Sequence, residues 1–318
     1  MTNYVGTGML RIVLEIGRFI PGFLLFPWMF VYIRQYFRSV LQNKDDDYEV
    51  DRYSSRPIQN EGIEWDANTI ATRLVSAINA VLMSIAGIIS VYTTWNDLKF
   101  DRSPVLEPYV YLCLPYMMYD LWAMFVTYQS EKPLRKKQPL RQSLRLFYMD
   151  NTQIVTHHIF IALVLCPVYL YLLNGIGDFV VGTFCLAELS TPFLSLRVII
   201  KQLKLDMPKL SLANDILFTV LFFICRVLMM PFCYWSVGRY FGVPFLGVPF
   251  FIPIKCNVVS GMLWGMQLLW FYKIFKKMLQ LILGFSSRST THKDVSHSLT
   301  NGKVNGHEIN CNIHNHND

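Results

Sequence analysis

Residues 151–197 read NTQIVTHHIFIALVLCPVYLYLLNGIGDFVVGTFCLAELSTPFLSLR, two long apolar runs joined by a tight turn at Asn174-Gly175. Each run carries ionisable side chains that hydrocarbon rejects: His157 and His158 in the first, Asp178 and Glu188 in the second. Such groups are rare at bilayer depth, and where they occur they face other helices or a wet cavity and mark working sites. The rest of the chain is therefore read for two things, further membrane spans and partners for these groups.

Composition answers the first. Of 318 residues 53 % are hydrophobic and 16 % charged, with a mean hydropathy of +0.32. Together with long uncharged runs, these values predict an all-α polytopic membrane protein rather than a soluble globule. A net charge of +7 would suggest nucleic acid in a soluble protein. Here the basic residues lie in short segments between apolar runs, where they orient helices, so no nucleic-acid partner is expected. Six of the seven cysteines lie in or beside apolar runs, and no disulfide framework, zinc spacing or other metal-ligand set is visible.

Seven spans are expected, at about 12–33, 74–95, 108–129, two in the 151–197 hairpin, 215–235 and 257–276. Pro21 and Pro27 should bend the first, where Glu15 and Arg18 are close enough to pair. Residues 1–64 read as an N-terminal helix and a cytosolic connector, with capping side chains at 66–69 ahead of the second span. Small residues along that second span suit close helix packing. In the third, Cys113, Tyr116 and Asp120 share one face, which should look inward. Residues 131–145 read as a basic connector. The proline-broken stretch 240–253 is too short to span and reads as re-entrant or interfacial. Residues 279–318 read as a disordered cytosolic tail. With the N-terminus lumenal, 22 of the 29 Lys and Arg fall on the cytosolic side and five on the lumenal side. That asymmetry orients the chain and puts its C-terminus in the cytosol.

Orientation converts sequence position into depth. At ~1.5 Å rise per residue, His157 lies about 10 Å in from Asp150, Glu188 about 13 Å in from Arg197, and Asp120 and Arg226 each about 16 Å in. Four helices thus place ionisable groups in one layer, where a lone charge costs at least ~2.5 kcal/mol. They should face one another, with Arg226 the counter-ion of Glu188 or Asp120, and with Glu188, Thr191 and Ser195 forming a polar stripe at i, i+3 and i+7. A neutral imidazole beside a carboxylate can take a proton from an amine or hydroxyl, or be acylated, and hydrocarbon walls admit a long-chain lipid. Adjacent histidines diverge by about 100° on a helix, so one reaches the reacting atom while the other positions it.

The His157-His158 pair, the turn with GDF and AELSTPF after it, and the FFICRVLMMPFCYW helix resemble the TLC-domain proteins. WDANTIATRLVSAINAVLMSIAG, YMMYDLWAMF and YWSVGRYFGVPFLGVPFFIP extend the resemblance over roughly residues 65–275, closest to the TLC domain-containing protein 3 group. The resemblance implies a TLC domain at 65–278 forming a helical barrel in the endoplasmic reticulum membrane, with the Golgi or plasma membrane as other addresses. It also implies kinship with the ceramide synthases, which join a sphingoid base to a fatty acyl group from acyl-CoA. On that kinship His157, His158 and Glu188 are catalytic; the reading of the polar layer adds Asp120, Thr191, Ser195 and Arg226 as residues that contact substrate. Acyl-CoA is a co-substrate rather than a cofactor, the partners are membrane lipids, acyl-CoA and a sphingoid base, and there is room for a homodimer. Glu188 falls where the synthases' first motif aspartate stands, and their second falls at Thr191, which carries no charge. Three readings remain open: a ceramide synthase-like N-acyltransferase, a non-catalytic lipid-binding or lipid-regulating protein, and a proton-coupled transporter.

Overall fold

The computed structural model describes residues 14–46, 56–131, 137–173 and 175–300. Among them seven helices are long and apolar enough to cross a membrane, and every regular element is helical. We label the helices α1 (Ile20–Asp46), α2 (Arg56–Thr93), α3 (Leu106–Ser130), α4 (Leu140–Asp150), α5 (Thr152–Leu172), α6 (Asp178–Gln202), α7 (Pro208–Phe241), α8 (Val248–Phe251) and α9 (Ile254–Thr300). Residues 1–271 form one compact unit and 272–318 a second. Within the first unit α3 lies beside α2 and α5, α2 beside α6, and α6 beside α7, while α1 packs outside on α2 and α3. Side chains of α9 meet α7 on one flank and α5 on the other. The neighbour order α5–α3–α2–α6–α7–α9 therefore closes into a ring.

Local chemistry explains where the helices stop and how close they come. The chain turns at 18–19, inside the turn that Pro21 would close, because Pro21 has no N–H to bond the Gly17 carbonyl, whereas α1 winds on through Pro27. Glu15 and Arg18 do pair, at 3.5 Å. Phe26 and Phe30, fully buried, bring α1 onto Tyr116 and Tyr119 of α3. Gly87 and Gly182 let α2 and α6 touch, since a Cβ on Gly182 would stand 2.5 Å from Ser90 Cβ. Gly175 and Gly177 supply left-handed turns between α5 and α6, at φ of 82° and 84°. Beside them Asp178, 0 % exposed, accepts from the Ser103 N–H at 2.8 Å and the Tyr169 hydroxyl at 3.1 Å, with Arg102 Nε at 3.4 Å. Asp178 clamps the hairpin to the α2–α3 loop and takes no part in the polar layer.

Three expectations are corrected. The second span does not begin after a capped connector, because α2 is helical from Arg56, and residues 66–69 lie inside it. Asn68 Nδ2 donates to Ser130 at 3.1 Å, Gln202 donates to Asp66 at 2.5 Å, and Thr69 returns its hydroxyl to Trp65 O, while Asn68 Oδ1 is buried without a partner among the described residues. The acidic run at 45–51 falls largely outside the described residues, which resume at 56. The basic connector is partly ordered, since α4 packs Phe147 against Phe125 and Tyr128; its residues 132–136 lie outside the described set. Residues 279–300, expected to be disordered, continue α9 as helix, and 301–318 lie outside the described residues. Of residues 240–253, the first two close α7 and the rest form a 3-10 turn and the four-residue α8 without a further span.

Candidate functional site

Four irregular turns interrupt three of the long helices. A π-turn over Phe223–Val227, closed by Leu228 N–H to Phe223 O at 3.0 Å, presents Arg226 inside the ring from α7. A 3-10 turn over Leu186–Ser190 presents Glu188 from α6. Two π-turns, Ile161–Leu165 and Val168–Leu172, follow the histidines on α5. Irregular backbone of this kind recurs at functional positions.

Arg226 is 8 % exposed and tied on every side. Its Nη2 donates to Glu188 Oε1 at 3.0 Å and to Thr191 Oγ1 at 2.9 Å, its Nε to Ser190 Oγ at 3.0 Å, and its Nη1 to Gln267 Oε1 at 3.4 Å. The guanidinium lies 5.2 Å from the Phe222 ring centroid. Thr191 donates to Glu188 Oε2 at 2.5 Å, so its hydroxyl bridges both members of the ion pair. Four of the five guanidinium N–H groups are thereby assigned, and one on Nη1 remains.

The second cluster joins α3 to α5. His158 Nδ1 lies 2.8 Å from Ile154 O, and His158 Nε2 lies 3.0 Å from Asp120 Oδ2. A carbonyl oxygen only accepts, so Nδ1 carries a proton, and a second proton must sit between Nε2 and the carboxylate. The pair is neutral as a whole, either imidazolium with carboxylate or imidazole with carboxylic acid. His157 is different: its Nδ1 is buried with no hydrogen-bond partner among the described residues. Its ring meets those of His158 and Trp270 edge-on at 5.8 and 5.6 Å.

Of the seven candidate site residues from the sequence, five are joined in these two clusters, and His157 stands beside them. Arg226 takes Glu188 as its counter-ion, and Asp120 goes to His158. Thr191 binds protein on two sides, accepting from Arg226 and donating to Glu188. Ser195, the seventh, is buried with its Oγ lacking a partner among the described residues and lies outside both networks. Sequence reading missed Ser190, Gln267 and Trp270. A glutamine inside the apolar run 257–276 was a usable signal, since a buried amide in hydrocarbon needs a partner. Among the described residues no group of His, Cys, Asp and Glu is arranged to hold a metal ion. A groove of about 700 Å³ at the end of α2, lined by Ile88, Tyr92, Trp95 and Leu186, includes no residue of the two clusters.

The family model of the TLC domain (TRAM_LAG1_CLN8) matches residues 69–276. Among curated proteins, TLC domain-containing protein 4-B of Danio rerio is 25 % identical over 225 residues, covering 67 % of this chain and 75 % of that protein. TLC domain-containing protein 4 of Homo sapiens is 32 % identical over 140 residues, 43 % of this chain and 51 % of that protein. These relatives support the family without supporting the narrower resemblance to the protein 3 group. No solved structure matches the chain.

Proposed function

The chain belongs to the TLC-domain family, and from that membership and the polar layer we propose that it transfers a fatty acyl group from acyl-CoA to the amine of a sphingoid base inside the membrane. The observation that carries this reading is His157: an imidazole nitrogen, buried and without a hydrogen-bond partner among the described residues, beside one cluster built on the Arg226–Glu188 ion pair and another built on His158 and Asp120. In the proposed reaction the amine nitrogen bonds to the thioester carbonyl carbon and the carbon–sulfur bond breaks. His157 takes the amine proton and returns one to the departing thiolate, so amide and free thiol result. His158, held by Asp120 and Ile154 O, keeps the neighbouring ring in place. The Arg226 charge, fixed by Glu188 and Thr191, favours the oxygen that turns anionic as the nitrogen adds. We place the protein in an endomembrane of the endoplasmic-reticulum type, with its basic loops and C-terminus cytosolic and acyl-CoA arriving from that face.

One observation favours a second reading, non-catalytic lipid binding. Thr191, Asp120 and His158 each bond protein partners, as purely structural groups do. Acyl transfer by the purified chain in nanodiscs, with labelled acyl-CoA and sphinganine, separates the two. The proposal expects labelled ceramide that is lost in folded His157→Ala and Glu188→Ala and increased in Glu188→Asp or Thr191→Asp. No product across short, long and very long acyl-CoAs would leave lipid binding as the function.

A further inference from the structure

Helix α9 is fastened unevenly. Toward α7, Trp264 donates to Val227 O at 2.9 Å, Gln267 accepts from Arg226, and Phe271 lies 5.2 Å from the Phe223 ring. These three residues span two helical turns of one flank. Toward α5, Trp270 Nε1 donates to Gln153 Oε1 at 3.2 Å, and the Trp270 and His157 rings meet edge to face at 5.6 Å. Gln153 and His157 stand at i and i+4, so the indole covers that stretch of α5. Of the most apolar stretch in this last span, 6 % is buried, against 28–50 % in α2, α3, α5, α6 and α7. Beyond His157, α5 loosens into its two π-turns around Pro167.

Resting on the reading of His157 as the reacting base, we infer that the α5–α9 seam is a lateral doorway for a long-chain amphiphile with an amine or hydroxyl head, and that Trp270 is its gate. A lipid entering through the loops would drag each methylene through water and headgroups, whereas one entering sideways keeps its chain in hydrocarbon throughout. When the Trp270 ring swings away, the polar head replaces it beside His157 Nδ1, which has no other partner among the described residues. The chain then lies along the partly buried Leu263 and Met266, two turns and one turn from Trp270 on the same flank. The firm α7 flank acts as the hinge.

The test uses the full chain in nanodiscs carrying Gln153→Cys and Trp270→Cys, with a sphingosine analogue bearing a diazirine and an alkyne on its chain. Reduced, the pair lacks the indole and should label peptides containing residues 157–164 and 263–266 more strongly than the parent chain. Oxidised to a disulfide with copper phenanthroline, it should lose that labelling, and a reducing agent should restore it. Labelling that ignores the disulfide, or that falls instead on the groove around Tyr92 and Trp95, overturns the doorway. Should the disulfide not form, Trp270→Ala must label more than Trp270→Phe, and equal labelling overturns it as well. Acyl transfer measured on the same samples keeps the two proposals apart. Gated labelling without ceramide refutes the enzyme alone, and ceramide made at full rate with the seam locked refutes the doorway alone.

Discussion

Arg226→Met should be among the most destabilising single substitutions in the ring, by an amount its partners set. It strands the Glu188 carboxylate, and breaking a buried ion pair from one side costs about 3–5 kcal/mol. Glu188 keeps the Thr191 hydroxyl at 2.5 Å, and 25 % of its side-chain surface is open, so the lower end, about 3 kcal/mol, applies. The bonds to Ser190, Thr191 and Gln267 add about 0.6 kcal/mol each, or about 2 kcal/mol together. The single variant should therefore lose about 5 kcal/mol, and Arg226→Met with Glu188→Leu only about 2 kcal/mol, because no charge is then left unpaired. Reversible unfolding in mixed detergent micelles, followed by far-ultraviolet circular dichroism, reads both. A double variant no more stable than Arg226→Met, or a single loss below about 1 kcal/mol, would refute the ion pair as the centre of the layer.

Other perturbations probe the remaining links. His158→Ala leaves Asp120 without its partner and should cost about 1–3 kcal/mol of stability. His157→Ala removes a nitrogen that already lacks one, so stability should change by less than about 1 kcal/mol while acyl transfer disappears; equal destabilisation by the two would contradict the division of roles. Gly182→Val drives a Cβ into Ser90 across the α2–α6 contact, and a loss of about 1–3 kcal/mol is expected from unfolding midpoints, with no loss meaning the helices sit further apart. Outside the membrane, the Tyr240 hydroxyl at 2.6 Å, helped by the Phe100 and Lys99 N–H groups, holds the Asp97 carboxyl below the usual carboxylate range. A lowered value means the tie is intact above about pH 4 and is lost as pH falls through it. Amide exchange at 97–101 should therefore accelerate in acid for the parent chain but be pH-independent beyond the intrinsic rate in Asp97→Asn; matching profiles would dismiss the tie.

Much of the site was readable along the chain because each helix reports its own inward face. Cys113, Tyr116 and Asp120 share a face at helical spacing and are all buried. Glu188 and Arg226 stood out because hydrocarbon excludes charge, and their depth followed from rise per residue. Residues 56–73 were read as connector because polarity marks solvent. In the folded chain Asn68 and Thr72 bond α3 and Asp66 bonds α6, and that cannot be seen without the neighbours.

The sequence by itself determined the number of spans, since apolar length and rise per residue must match the bilayer. It also picked out the four helices, α3, α5, α6 and α7, whose ionisable side chains meet in the two clusters. Tertiary structure alone decided that Arg226 pairs with Glu188 and not Asp120, that His158 is held while His157 is left with a bare nitrogen, and that Gln267 and Trp270 of α9 complete the layer. The reason is geometric. Periodicity fixes which residues of one helix face inward, but the order in which helices stand around the ring comes from many small contacts spread over the chain. Among them is the glycine crossing of α2 and α6. Which acid meets which base is set by that order.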